Sequence, residues 1–171
     1  EALYIRKKVL GENHPDYAMS LNNLATLYDT QGDYAKALPL YQQALEIRKK
    51  ALGENHPDYA TSLNNLASLY YSQGDYAKAL PLYQQALEIH KKALGENHPV
   101  YARSLNNLAT LYKSQGDYAK ALPLVKNSLS IYPRTTYENL TTLQESFRNG
   151  IIFNNLNKVK LLLNYFQPNI T

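Results

Sequence analysis

Residues 44–85 read ALEIRKKALGENHPDYATSLNNLASLYYSQGDYAKALPLYQQ, and this stretch occurs three times in tandem. Residues 86–127 match it at 34 of 42 positions, and residues 2–43 match it at 36 of 42. Self-similarity at a fixed period of a few tens of residues specifies a stacked array, because one such unit cannot bury its apolar face alone. No other feature of the chain restricts its fold as strongly.

Inside the unit the period is helical. Leu63, Leu66, Ala67 and Tyr70 fall at i, i+3, i+4 and i+7, one stripe of a helix. Pro57 suits the first helical position, whose N–H has no intrahelical partner, and Asp58 suits the positive end of the dipole. Gly74 stops this helix as a left-handed cap, and Asp75 supplies the N-cap of a second. The second helix carries Tyr76, Ala79, Leu80, Tyr83, Ala86, Leu87 and Ile89 on one face and ends at Gly95. The expected helices are therefore 1–10, 15–31, 33–52, 57–73, 75–94, 99–115 and 117–131. Pro39, Pro81 and Pro123 lie inside second helices, where proline costs roughly 3 kcal/mol, so that face is expected to point outward.

Leu63, Leu66, Ala67, Tyr70, Gly74, Tyr76, Ala79, Tyr83 and Ala86 stand at the spacing of the tetratricopeptide (TPR) signature. The 42-residue period, the longer second helix and the LGENHP linker resemble the variant found in kinesin light chains and many bacterial arrays. The resemblance covers about residues 2–132. It implies an all-α fold, a right-handed α-solenoid of antiparallel helix hairpins, the TPR superhelix. We expect a solenoid over 1–132, with an orphan helix at 1–10 and repeats at about 11–52, 53–94 and 95–132. The chain opens at Glu1, halfway through a repeat, which reads as a piece of a longer array or a truncated product. Beyond Ile131 the repeat dissolves. Residues 133–171 are expected to form a diverged C-terminal helical cap, a hairpin with an ankyrin-like second half, since a solenoid end needs a lid over its last apolar face.

Composition sets limits on chemistry and location. The chain has no Cys, which excludes disulfides and thiolate metal sites and fits a cytoplasmic, reducing compartment. No apolar run approaches the ~20 residues of a membrane span. His14, His56 and His98 recur one repeat apart without a second ligand at i+4, so we read them as loop and cap residues rather than metal ligands. Asp33, Asp75 and Asp117 read as caps, and His90, in place of Arg6 and Arg48, as a surface change. No phosphate loop, nucleophile elbow or carboxylate pair is present. No enzyme, cofactor or metal is expected.

Arg6-Lys7-Lys8, Arg48-Lys49-Lys50 and His90-Lys91-Lys92 repeat at second-helix ends, the pattern of a basic ridge for nucleic acid, but cations at helix C-termini are favoured by the dipole and Glu12, Glu54 and Glu96 follow nearby. A net charge of +4 is modest at this length. The disagreements between copies point elsewhere. Only two columns hold three different residues, Met19/Thr61/Arg103 and Asp29/Tyr71/Lys113, both on first helices. They share a side with the mid-helix pairs Asn22-Asn23, Asn64-Asn65 and Asn106-Asn107. Asn is a poor helix former whose amide both donates and accepts, which suits holding a peptide backbone or bonding between neighbouring first helices. In TPR arrays first helices line the concave surface, so the resemblance implies the former. The expected function is a protein-interaction scaffold whose groove takes an extended, acidic peptide. A structural or oligomerisation spacer is the alternative, with nucleic acid third.

Overall fold

The computed structural model describes residues 2–131. The expected capping hairpin at 133–171 lies outside the described residues. Among the described residues seven helices follow one another: α1 (Ala2–Leu10), α2 (Pro15–Thr30), α3 (Tyr34–Leu52), α4 (Pro57–Ser72), α5 (Tyr76–Leu94), α6 (Pro99–Ser114) and α7 (Tyr118–Ile131). They form hairpins α2–α3, α4–α5 and α6–α7, with α1 standing where a second helix would.

The ends explain why each helix stops where it does. His56 has an extended backbone, and its Nδ1 accepts the Asp58 N–H at 3.1 Å, with Pro57 taking the next position; His14 and His98 do the same. The first helix closes at Gly74, whose φ of 76° favours glycine. The Gly74 N–H donates to the Tyr71 carbonyl at 2.9 Å and the Asp75 N–H to Tyr70 at 2.8 Å, the paired bonds of a Schellman motif. Asp75 then caps α5, its carboxylate accepting the Lys78 N–H at 3.2 Å. One residue thus closes one helix and opens the next. Gln73 and Asp75 serve as caps rather than helical residues, which moves the two expected boundaries at each such turn inward by one and leaves the Pro starts and the Leu52 and Leu94 ends as expected. Pro39, Pro81 and Pro123 stay inside their helices on the exposed side.

Two kinds of core alternate along the array. Within a hairpin, Tyr59, Ala60 and Leu63 of α4 pack on Ala86 and Ile89 of α5. Between hairpins, Leu66 and Leu69 of α4 pack on Ala25, Ala37 and Tyr41 of the preceding unit, as Leu108 and Leu111 pack on Ala67, Ala79 and Tyr83. Leu69 and Leu111 fall outside the expected stripe; they belong to a second apolar face that only stacking reveals. First helices touch one another, α2 with α4 and α4 with α6, whereas second helices do not approach each other. That asymmetry places the first helices on the inside of the curve.

Candidate functional site

The inner surface is built from the outer sides of α2, α4 and α6, and the structure divides the expected site residues into two groups. Met19, Asn23 and Arg103 are exposed on it, and Asp29, Thr61, Asn65, Tyr71, Asn106, Asn107 and Lys113 are half-buried. Asn22 and Asn64 are not groove residues: only 4% and 5% exposed, they lie in the seams between first helices. Asn22 Nδ2 donates to Ser62 Oγ at 3.2 Å and Asn64 Nδ2 to Ser104 Oγ at 2.9 Å, each bond crossing from one repeat to the next. A buried amide needs partners, and the small Ser one repeat on accepts from the Nδ2 of each, while the Asn64 Oδ1 has no partner among the described residues. Asn65 Nδ2 reaches back to Asn22 Oδ1 at 3.4 Å, and Asn106 Oδ1 accepts from Ser128 Oγ at 2.6 Å. The pairs thus split by position. Asn22 and Asn64, the first of their pairs, hold the seams, Asn106 bonds within its own hairpin, and the second Asn of each pair lies towards the groove.

Tyrosines reinforce the same surface. Tyr41 and Tyr83 pass through the core and bring their hydroxyls out to Thr26 Oγ1 and Ser68 Oγ, both at 2.9 Å. Tyr71 bridges two repeats, its hydroxyl 2.7 Å from Ser114 Oγ and its ring tilted against Tyr76 at 5.5 Å. Asp29, at the same position one repeat earlier, forms no ion pair among the described residues, and burial raises its carboxyl above the usual range.

The basic ridge does not assemble. Arg6 and Arg48 turn inward; Arg48 is buried and donates from Nη1 to the Asp58 carbonyl at 2.9 Å and to Ser62 Oγ at 3.1 Å. Lys7, Lys49 and Lys91 pair with Glu12, Glu54 and Glu96, and Lys50 and Lys92 with Glu46 and Glu88. His90 is not a surface change either. It is 0% exposed, because it takes the place of the inward-turned Arg. Its Nε2 lies 3.1 Å from the Pro57 carbonyl, which only accepts, so Nε2 carries the proton and Nδ1 accepts from Ser104 Oγ at 2.8 Å. Burial pushes its pKa down, and the Arg103 and His98 charges add to that. Three columns change together at this seam: Arg48 becomes His90, Asp58 becomes Val100 and Thr61 becomes Arg103. The buried cation and its facing acid are gone, and a cation stands in the open groove instead.

Among the described residues no three His, Cys, Asp or Glu side chains stand together to hold a metal, and no helix is long and apolar enough to cross a membrane. The tetratricopeptide repeat family model matches residues 1–50, 31–92 and 58–134. The fold is similar to that of a kinesin-light-chain-type protein of Podosopora anserina with nearly identical TPR-like repeats, at 28% identity and a TM-score of 0.69 over 77% of this chain. This chain spans 64% of that protein's length. It is also similar to BtubC (BKLC) from P. vanneervenii, at 25% identity and a TM-score of 0.65 over 92% of this chain and 69% of that one. The N-terminal domain of stress-induced protein-1 (STI-1) from C. elegans shares the fold at 21% identity, with a TM-score of 0.55 over 77% of this chain and 94% of that one. None of the curated proteins compared with the chain matches it.

Proposed function

Since the chain belongs to the tetratricopeptide repeat family, whose arrays serve as protein–protein interaction scaffolds, we propose that its inner groove binds an extended, acidic peptide segment of a partner protein. One observation carries this reading. The only two columns that differ in all three repeats, Met19/Thr61/Arg103 and Asp29/Tyr71/Lys113, both lie on the first-helix side, while at every other position at least two of the copies agree. Asn23, Asn65 and Asn107 run beside them and offer amides to a peptide backbone, whose N–H and C=O groups need both donors and acceptors. Asn22 and Asn64 hold the floor beneath.

Arg103 and Lys113 bear the positive charge that an acidic side chain would meet. In a half-exposed groove each such contact contributes on the order of 0.5–1 kcal/mol and weakens with salt. Reversing both to Glu should weaken an acidic peptide tenfold or more, read by fluorescence anisotropy, with the helical circular dichroism unchanged. If the double variant binds the acidic peptide as tightly as the parent, the groove reading is wrong. A spacer without ligand would give no saturable binding to either protein.

A further inference from the structure

The charges repeated in every unit cancel locally. Lys36, Lys78 and Lys120 pair with the capping Asp33, Asp75 and Asp117 at 2.6–2.7 Å, and the lysines of the second-helix ends pair with neighbouring glutamates. None of the three groove charges at the diverged positions has such a partner among the described residues: Asp29 on α2, and Arg103 and Lys113 on α6. They are also segregated. The acid stands over the first repeat and both cations over the third, with Tyr71 fixed between them by Ser114 and Tyr76.

Asp29 has no protein cation to offset its partial burial, and its carboxyl is held above the usual range for that reason. It also feels the phenols of Tyr41 and Tyr83, which open onto the same seam and supply no positive charge. A carboxylate desolvated without a counter-ion loses stability until a cation reaches it. At the other end, the change of Asp58 to Val100 and Thr61 to Arg103 removes one acid and adds one exposed cation. The groove therefore has a direction as well as a sign.

We infer that the segment taken by this groove is dipolar, carrying a basic side chain that sits on Asp29 and two acidic side chains, one on Arg103 and one on Lys113, which stand about 15 Å apart along α6. An aromatic or aliphatic residue between the basic side chain and the acidic one on Lys113 packs on Tyr71. This rests on the groove reading above and adds to it the cationic end and the spacing. Helices in contact lie about 8–10 Å apart, so two steps from α2 to α6 span roughly 16–20 Å. An extended chain advances about 3.3 Å per residue. The basic side chain on Asp29 and the acidic one on Lys113, which stands at the same level of α6, are thus separated by about five or six positions.

Fluorescent peptides of identical composition, one Lys, one Tyr and two Glu in an Ala/Ser background, test this by anisotropy against the full chain. In one pair the Lys and the glutamates stand about six positions apart, in either order; in a third peptide they are adjacent. One of the two spaced orders should bind at least tenfold tighter than the adjacent arrangement. Asp29→Lys combined with Arg103→Glu and Lys113→Glu should invert the preference to the opposite order, with helical content retained. Asp29→Asn alone should weaken the preferred peptide severalfold and leave a peptide without Lys unchanged. If all three peptides bind within twofold of one another and Asp29→Asn has no effect, while Arg103→Glu with Lys113→Glu still weakens binding, the dipolar inference is overturned and the groove stands. If no variant affects any peptide, the groove reading falls with it.

Discussion

At the residue scale, the seams between repeats are where chemistry changes under constant geometry. Asn22 with Ser62 and Asn64 with Ser104 repeat one contact, but the third partner is Arg48 in one seam and His90 in the next. A permanent cation there finds the Asp58 carbonyl and the Asp58 charge close by; the imidazole bonds Ser104 and the Pro57 carbonyl, and burial, which outweighs the nearby Asp58, favours its neutral form. His90 has a pKa below the ordinary value of about 6.5, so in the window between the two the unfolded chain binds more protons than the folded one. Its neutral form therefore supports the fold fully above about pH 6.5, and that support is lost as pH falls through the lower, folded-state value. His90→Gln keeps a donor for Pro57 and an acceptor for Ser104 without titrating. Thermal melts from pH 7 to pH 5 should show a smaller drop for His90→Gln than for the parent. Equal drops would mean that His90 is not the group responsible.

At the element scale, each first helix has two apolar faces with different partners. The Tyr59, Ala60, Leu63 face meets its own second helix, and the Leu66, Leu69 face meets the preceding hairpin. The same leucine therefore has different burial in different copies. Leu69 and Leu111 are fully buried, while Leu27, ahead of which no complete hairpin is described, remains 52% exposed. Leu69→Ala should cost about 2–5 kcal/mol by urea denaturation, the usual range for an emptied core site. Leu27→Ala should cost less than about 1 kcal/mol, since surface truncations leave no cavity. Similar losses at both positions would show that stacking on the preceding unit does not decide burial.

At the scale of the whole molecule, stability in such an array is a sum of unit terms and nearest-neighbour interfaces. Ile5 shows what a missing interface leaves behind: it is 51% exposed, whereas Ile47 and Ile89 at the same position pack against a first helix and are 6% and 8% exposed. Fusing the sequence of residues 53–84 ahead of Glu1 would supply that helix and cover Ile5, Leu24 and Leu27 together. At about 25 cal/mol per Å² of apolar surface, stability should rise by roughly 2 kcal/mol or more, seen as a higher melting temperature. An unchanged melting temperature would mean that the added unit does not dock in register.

The 42-residue period, the stripe through Leu63, Leu66, Ala67 and Tyr70, and the Gly74-Asp75 turn were enough to determine the hairpins, because helix period and cap chemistry are local properties of the chain. The diverged groove columns were legible for the same reason: they need only be compared with themselves one repeat on. Tertiary structure decided what a helix side means once it has neighbours. Asn22 and Asn23 are adjacent in sequence, about 100° apart on the helix. That rotation sends one into the inter-repeat seam and the other into the groove. Leu69 and His90 are buried for the same reason, by helices of a neighbouring repeat, and no local pattern records a partner that distant in the chain.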